Sequence, residues 1–163
     1  MDNTLIHLFN YNLWANLRLV NACAGLSPEH LDATPDGGTF GTIRDTLLHL
    51  LAAEERYVTL LTGEPAPESP LRESEPFPGF DRLRERAQRN GDALVALATA
   101  DPYERVLSGT RGGETYTMPA FIPMVQAIHH ANEHRSQVTG LLGRLQLEPP
   151  DISGWAYGES ARS

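Results

Sequence analysis

Four segments of this chain carry apolar residues at the three- and four-residue steps of an amphipathic helix, which leaves few folds open. In the first segment, roughly 4–24, these residues are Leu5, Phe9, Leu13, Leu17, Val20 and Ala24. The others span about 42–63, about 79–99, and a last stretch that starts between Pro119 and Pro123 and ends near Gln146. Because such faces must be buried against one another, we predict an all-α fold, a four-helix bundle.

The connections between these segments carry signals of their own. Thr42 and Asp45 are spaced as in a capping box, with Asp in place of the usual Glu or Gln, so the second helix should begin there. Residues 63–79 contain five prolines and predict one long crossover connection. The pair Gly112-Gly113, flanked by β-prone residues, predicts a short β-hairpin before the last helix.

The chain length is enough for one hydrophobic core. At 163 residues we expect a single domain over 1–163, which needs no disulfide staples to fold. The tail, 147–163, has no helical pattern and is expected to be irregular, with Trp155 and Tyr157 docked on the helices. The lone Cys23 cannot form an intrachain disulfide, so we expect a cytoplasmic protein.

Charge argues against nucleic acid as a partner, and the lack of a long apolar run argues against a membrane. The formal net charge is -8, whereas nucleic-acid binders gather basic surface to neutralise phosphates. The arginine-rich stretch 82–89 is interspersed with acid and is interpreted as a solvated helix face. No run approaches the roughly 20 apolar residues of a transmembrane helix. All 13 basic residues are arginine, which rules out Schiff-base chemistry on lysine.

Two histidines stand on the apolar face of the last predicted helix. That face runs through Ala127, His130, His134, Val138, Leu141 and Leu145. Imidazoles at positions i and i+4 lie one above the other on a helix and can reach the same ion. Burying both without partners would be costly, because each ring nitrogen needs a hydrogen bond or a metal.

His49, in the middle of the second predicted helix, is the candidate third ligand. Helical bundles commonly build metal sites from facing helices, so His49, His130 and His134 would supply three nitrogen ligands. Three protein ligands with an open position is the arrangement of catalytic zinc. Imidazole also suits nickel, iron or manganese, and we expect zinc or nickel. The alternative is a hydrogen-bonded histidine cluster in the core, without a metal.

Other residues near the histidine pair support different interpretations. His130, Glu133 and His134 match the H-x-x-E-H signature of inverted zinc proteases, with Glu133 as the base. On a helix, however, Glu133 is turned about 100° from His134, so we disfavour this interpretation. His129 should face away from the pair. Arg135 could bind an acid or a substrate carboxylate, or it could form a structural salt bridge.

Several stretches together resemble the DinB/YfiT-like superfamily of putative metalloenzymes. They are YNLWANLRLV in the first helix, LLHLLAAEERYV in the second, HHANEHRSQVTGLLG in the last and LEPPDISGWAY in the tail. The most specific element is the mid-helix histidine combined with H-x-x-x-H-R-x-Q. The resemblance places the metal triad of that family on His49, His130 and His134. Ser136 replaces the glycine that many members carry, which puts the packing of that turn in question.

The resemblance also implies a kind of chemistry. Characterised members include transferases and isomerases that use low-molecular-weight thiols, and homodimers are common. We therefore expect a divalent-metal-dependent thiol S-transferase or detoxification enzyme that joins a cellular thiol to an electrophile. The alternatives are a metal-binding stress or interaction protein without catalysis, and a metal-dependent hydrolase.

Overall fold

The computed structural model describes residues 4–34, 41–100 and 105–162, apart from the side chain at position 111. Within these residues the chain is mostly helical, with six helices and one two-stranded hairpin. In chain order they are α1 (Thr4–Ala24), α2 (Pro28–Asp32), α3 (Ile43–Thr62), α4 (Phe80–Thr99), β1 (Val106–Arg111), β2 (Glu114–Pro119), α5 (Phe121–Arg144) and α6 (Gly154–Ser160). The four long helices agree with the predicted segments to within about two residues.

The four long helices enclose the apolar core. Helix α1 lies beside α4 and α5, and α3 also lies beside α4 and α5, an arrangement compatible with a four-helix bundle. Fully burying one large apolar side chain stabilises a fold by about 1.5–3 kcal/mol. The fully buried apolar residues include Phe9, Leu19, Ile43, Leu47, Leu51, Leu83, Leu94 and Leu141. None of the described helices is both long and apolar enough to cross a membrane.

Helix α3, which carries His49, is fixed at both ends. The hydroxyl of Thr42 accepts a hydrogen bond from the Asp45 backbone N–H (3.1 Å), and the Asp45 carboxylate accepts one from the Thr42 N–H (3.1 Å). The predicted capping box is thereby confirmed. At the other end, Gly63 adopts φ 73°, and its N–H donates to the carbonyl of Thr59.

Residues 63–79, which we name the connection, are tied to the helices by a buried ion pair. Arg86 of α4 lies 3.4 Å from the Glu55 carboxylate of α3, and both side chains are buried. Arg86 donates to the Ser69 carbonyl (2.8 Å), and Glu55 accepts from the Leu71 N–H (3.0 Å). The expectation that the arginine-rich face of α4 is solvated is therefore wrong at Arg86.

The predicted hairpin is present between α4 and α5. Strands β1 and β2 pair antiparallel, with Val106 opposite Pro119 at one end of the ladder. The turn is made by Gly112 and Gly113, whose φ angles of 61° and 86° lie in the region that favours glycine. Strand β2 ends at Pro119 and α5 begins at Phe121, so the hairpin lies immediately before the helix that carries two of the histidines.

The tail differs from the irregular segment expected over 147–163, because it contains α6. The hydroxyl of Ser153 accepts from the Ala156 N–H (3.2 Å) and so caps this short helix. A second unpredicted helix, α2, is capped in the same way by Ser27, whose hydroxyl accepts from the His30 N–H. Both helices are short enough that no full apolar stripe is present to reveal them.

Helix α6 docks on α1 through aromatic rings. The ring of Tyr157 lies 5.4 Å from that of Trp14 and 5.8 Å from that of Tyr11, centroid to centroid. The Tyr11 hydroxyl also donates to the Ile152 carbonyl (2.9 Å). The expected docking of Tyr157 is confirmed, whereas that of Trp155 is wrong, since Trp155 is 87% exposed. Trp155 is the second residue of α6, two positions before the ring that packs on α1.

The close approach of α1 and α4 predicts an effect of a single methyl group. A Cβ added at Gly91 would lie 2.6 Å from Leu13 Cδ1 and 2.8 Å from Leu13 Cβ. Overpacking of this kind costs about 1–3 kcal/mol, more than the gain in helix propensity of up to about 1 kcal/mol. We expect Gly91→Ala to lower the free energy of unfolding in urea. The matched control is Gly140→Ala on α5, which has no atom nearer than 3.9 Å and should be neutral or stabilising.

Candidate metal centre

Three histidine rings converge between α3 and α5. The Nε2 atom of His130 lies 3.2 Å from His49 Nε2 and 3.1 Å from His134 Nε2. All three ligand nitrogens lie within 4.8 Å of one another. Helix geometry explains the pair, because the four-residue step stacks His130 and His134 on the face of α5 that packs against α3. The structure thus brings together all three residues that the sequence singled out.

The spacing of these nitrogens suits a single ion. Zinc binds imidazole nitrogen at about 2.0–2.1 Å, so two ligands at a tetrahedral angle stand about 3.3 Å apart. The two measured separations from His130 Nε2, 3.2 and 3.1 Å, are close to that value. The donor set is three neutral nitrogens with no carboxylate among them, which suits zinc and nickel.

The outer ring nitrogens of two histidines face side-chain oxygens. His49 Nδ1 lies 3.1 Å from Glu73 Oε1, and His134 Nδ1 lies 2.7 Å from Gln137 Oε1. When Nδ1 donates to such an oxygen, the proton of the neutral ring resides on Nδ1 and Nε2 keeps a lone pair. Both rings therefore present Nε2 as an acceptor towards the centre of the cluster, as metal-binding histidines do.

The surroundings favour the neutral form of two of the rings, those of His130 and His49. Burial, and to a smaller extent the nearby charges of His134, His49 and Arg56, together lower the pKa of His130 to about 4. Burial also lowers the pKa of His49, against the opposing effect of its hydrogen bond with Glu73. At neutral pH the imidazoles of His130 and His49 are therefore in the neutral form, which is the form that binds a metal.

The cluster is reachable from one side. His134 is 6% exposed and lies deepest, whereas His130 and His49 are half-buried. The ring of Tyr57 stands edge-on to His130, with 5.9 Å between ring centroids. The part of the cluster that solvent reaches therefore lies at His49 and His130, whereas His134 is buried.

The neighbours of the pair on α5 take other directions. His129 and Glu133 are exposed and do not belong to the cluster, as their helical positions predict. The arrangement of an inverted zinc protease, with Glu133 as a base beside the ligands, is therefore not formed.

Arg135 has a structural role, although it forms hydrogen bonds to asparagines where a direct salt bridge was one of the two expectations. It is 1% exposed, and its Nη1 donates to Asn12 Oδ1 (2.6 Å) and Asn16 Oδ1 (2.7 Å) on α1. The amides of both asparagines donate in turn to Glu54 Oε1 on α3, at 2.7 and 3.1 Å. Two asparagines thus bridge a buried cation and a buried acid, and Arg135 is not presented to a substrate.

A comparison with protein-family models matches the DinB family over residues 1–162. The chain belongs to the DinB family. A search of curated proteins finds no match. In this DinB-family protein, Ser136, which stands where many members have glycine, is exposed and donates to the Asn132 carbonyl (2.8 Å). Its side chain therefore lies outside the helix packing that the glycine would affect.

Two residues at the centre were missed by the sequence analysis, Glu73 and Tyr57, whereas Gln137 was part of the motif H-x-x-x-H-R-x-Q but had no role assigned to it. Tyr57 had a signal, since it lies eight residues after His49, close to the face that carries this ligand. Glu73 lies 24 residues from His49 on the connection, and no local spacing could indicate it.

The raised pKa of Glu54 predicts that part of the stability of this DinB-family protein is lost with rising pH. Burial raises this pKa to about 7, although Asn12, Arg135 and Asn16 oppose the rise. An unfolded Glu titrates near 4.3, so the stabilisation is complete below that pH and disappears as the pH passes about 7. Histidines with lowered pKa values make the stability rise with pH instead. The reference is therefore a variant that keeps these histidines and lacks only the carboxyl group of Glu54.

We therefore expect the free energy of unfolding of the metal-free wild type, minus that of Glu54→Gln, to decrease between about pH 5 and about pH 8. Urea unfolding at several pH values measures both quantities. A difference that stays constant over this range would contradict the raised pKa.

Proposed function

We propose that this DinB-family protein holds a divalent metal ion at His49, His130 and His134 and is a thiol S-transferase of the detoxification type. The observation that carries the proposal is the convergence of three Nε2 atoms at the spacing of ligands to one ion. The substrates would be a low-molecular-weight thiol and an electrophile.

A divalent ion with an open coordination position lowers the pKa of a thiol, so that a thiolate forms near neutral pH. In the transfer, the thiol proton goes to solvent and the sulfur electron pair forms a bond to the electrophilic carbon. A leaving group, where the electrophile has one, departs with the electrons of its bond; where it has none, the π bond that is attacked opens and its electron pair takes up a proton from solvent. No protein base is required, which suits a site where Glu133 lies outside the cluster.

The residues of the chain supply binding and orientation. Glu73 and Gln137 hold the rings of His49 and His134 so that their Nε2 atoms face inward. The half-buried side of His49 and His130 leaves an approach for the thiol. A pocket of about 410 Å³ lies between α3 and the connection; Arg56 and Glu73 line part of it, and Glu73 is its link to His49.

Metal content tests the first half of the proposal. We expect untagged protein to bind about one zinc or nickel ion per chain, and His130→Ala to lose most of it, because two imidazoles bind far more weakly than three. The matched control is His129→Ala, which removes the adjacent exposed histidine and should keep wild-type metal content. Elemental analysis measures all three proteins. Metal well below one per chain in the wild type would leave the histidines as a hydrogen-bonded cluster.

Thiol conjugation tests the second half. We expect the metal-loaded protein to accelerate the conjugation of at least one cellular thiol to a generic electrophile, measured across a panel of thiols. His130→Ala should lose this acceleration, at least about 100-fold, because the pKa of the thiol is no longer lowered. His129→Ala should retain it. Bound metal without acceleration for any thiol would favour a binding protein without catalysis, and hydrolysis of an ester or lactone instead would favour a hydrolase.

A further inference from the structure

The connection contributes a side chain to the candidate metal centre although it belongs to neither helix that bears the histidines. Glu73 lies on it, and its Oε1 faces His49 Nδ1 at 3.1 Å. The Nδ1 and Nε2 atoms lie on different edges of an imidazole ring, and His49 Nε2 faces His130. Glu73 is therefore placed behind the ligand, where a carboxylate orients a ring, and not among the ligand atoms.

Arg56 holds this carboxylate in place. Its Nη1 lies 3.0 Å from Glu73 Oε1 and 3.3 Å from Oε2, so it contacts both oxygens. Arg56 is on α3, two turns after His49, and faces the same side of the helix. Glu73 thus lies between a cation and an imidazole of one helix, which fixes its position along α3.

The backbone next to Glu73 is also held. The Leu71 N–H, two residues earlier, donates to the buried carboxylate of Glu55, and the Ser69 carbonyl accepts from the buried Arg86. The connection is thereby fixed to α3 and α4 just before it presents Glu73. The ring of His49 receives its orientation from a segment that is anchored independently of the histidines.

We infer that Glu73 is a positioning residue of the metal centre, and that binding of metal at the three histidines is coupled to the docking of the connection on α3. The inference rests on the metal site proposed above. A proton fixed on His49 Nδ1 leaves Nε2 available to the ion, and an ion on Nε2 makes Nδ1–H a stronger donor to Glu73. By linkage, each event favours the other to the same extent.

Zinc affinity tests the positioning role, measured by competition with a chromophoric chelator. We expect Glu73→Ala to bind zinc about 10–100-fold more weakly than the wild type, the usual effect of losing such a partner. Glu73→Gln keeps an acceptor oxygen and should recover most of the affinity. The matched control is Glu75→Ala, which removes another exposed glutamate of the connection, paired with Arg72 at 3.5 Å, and should bind as the wild type does.

Hydrogen exchange tests the coupling, since a merely structural role would not make exchange depend on metal. We expect zinc to slow amide exchange at Leu71 and its neighbours in the wild type and in Glu75→Ala, but not in Glu73→Ala at saturating zinc. A wild type that fails to bind zinc overturns the proposed metal centre itself. A wild type that binds zinc, with equal affinity and equal protection in Glu73→Ala, overturns only the role of Glu73.

Discussion

The guanidinium of Arg135 is buried between the helices, and three of them, α1, α3 and α5, contribute residues to the hydrogen bonds around it. A charge that is 1% exposed must be met by hydrogen bonds, because leaving it unpaired in the interior costs several kcal/mol. Asn12 and Asn16 on α1 accept hydrogen bonds from its Nη1, and Glu54 on α3 accepts from the amides of both asparagines. These hydrogen bonds fix the rotation of α5 about its axis. In that rotation the preceding residue, His134, faces α3.

Three consecutive residues of helix α3 contact three neighbours: α1, α4 and the connection. Glu54 faces the asparagines of α1, Glu55 faces Arg86 and the connection, and Arg56 faces Glu73. Successive residues on a helix differ in direction by about 100°, so consecutive polar residues distribute over separate sides. The run of charge in an otherwise apolar helix is explained by what surrounds it. His49, two turns earlier, lies on the side shared with Arg56 and the connection.

Much of this could be predicted from the sequence where the cause is local. The limits of α1, the capping box of α3 and the hairpin turn depend on spacings of a few residues, and the histidine triad depends on one four-residue step and one facing helix.

The role of Arg135 could not be decided, because its partners lie 119 and 123 positions away. Glu73 was missed for the same reason: the path of the connection is set by the Arg86 and Glu55 ion pair, a contact between two helices. The exposure of Trp155 follows from the orientation of α6, which the docking of Tyr157 decides.

The connection is attached to the helices through its backbone at Ser69 and Leu71. Helices α3 and α5 hold the three imidazoles. The connection is attached by backbone contacts to the buried side chains of Glu55 and Arg86, and it forms one wall of the pocket beside α3. Backbone contacts do not depend on which side chain a residue carries. Side chains at the exposed positions of the connection can therefore differ without loss of its attachment to α3 and α4, so one wall of this pocket can vary in shape and charge while the helical frame stays the same.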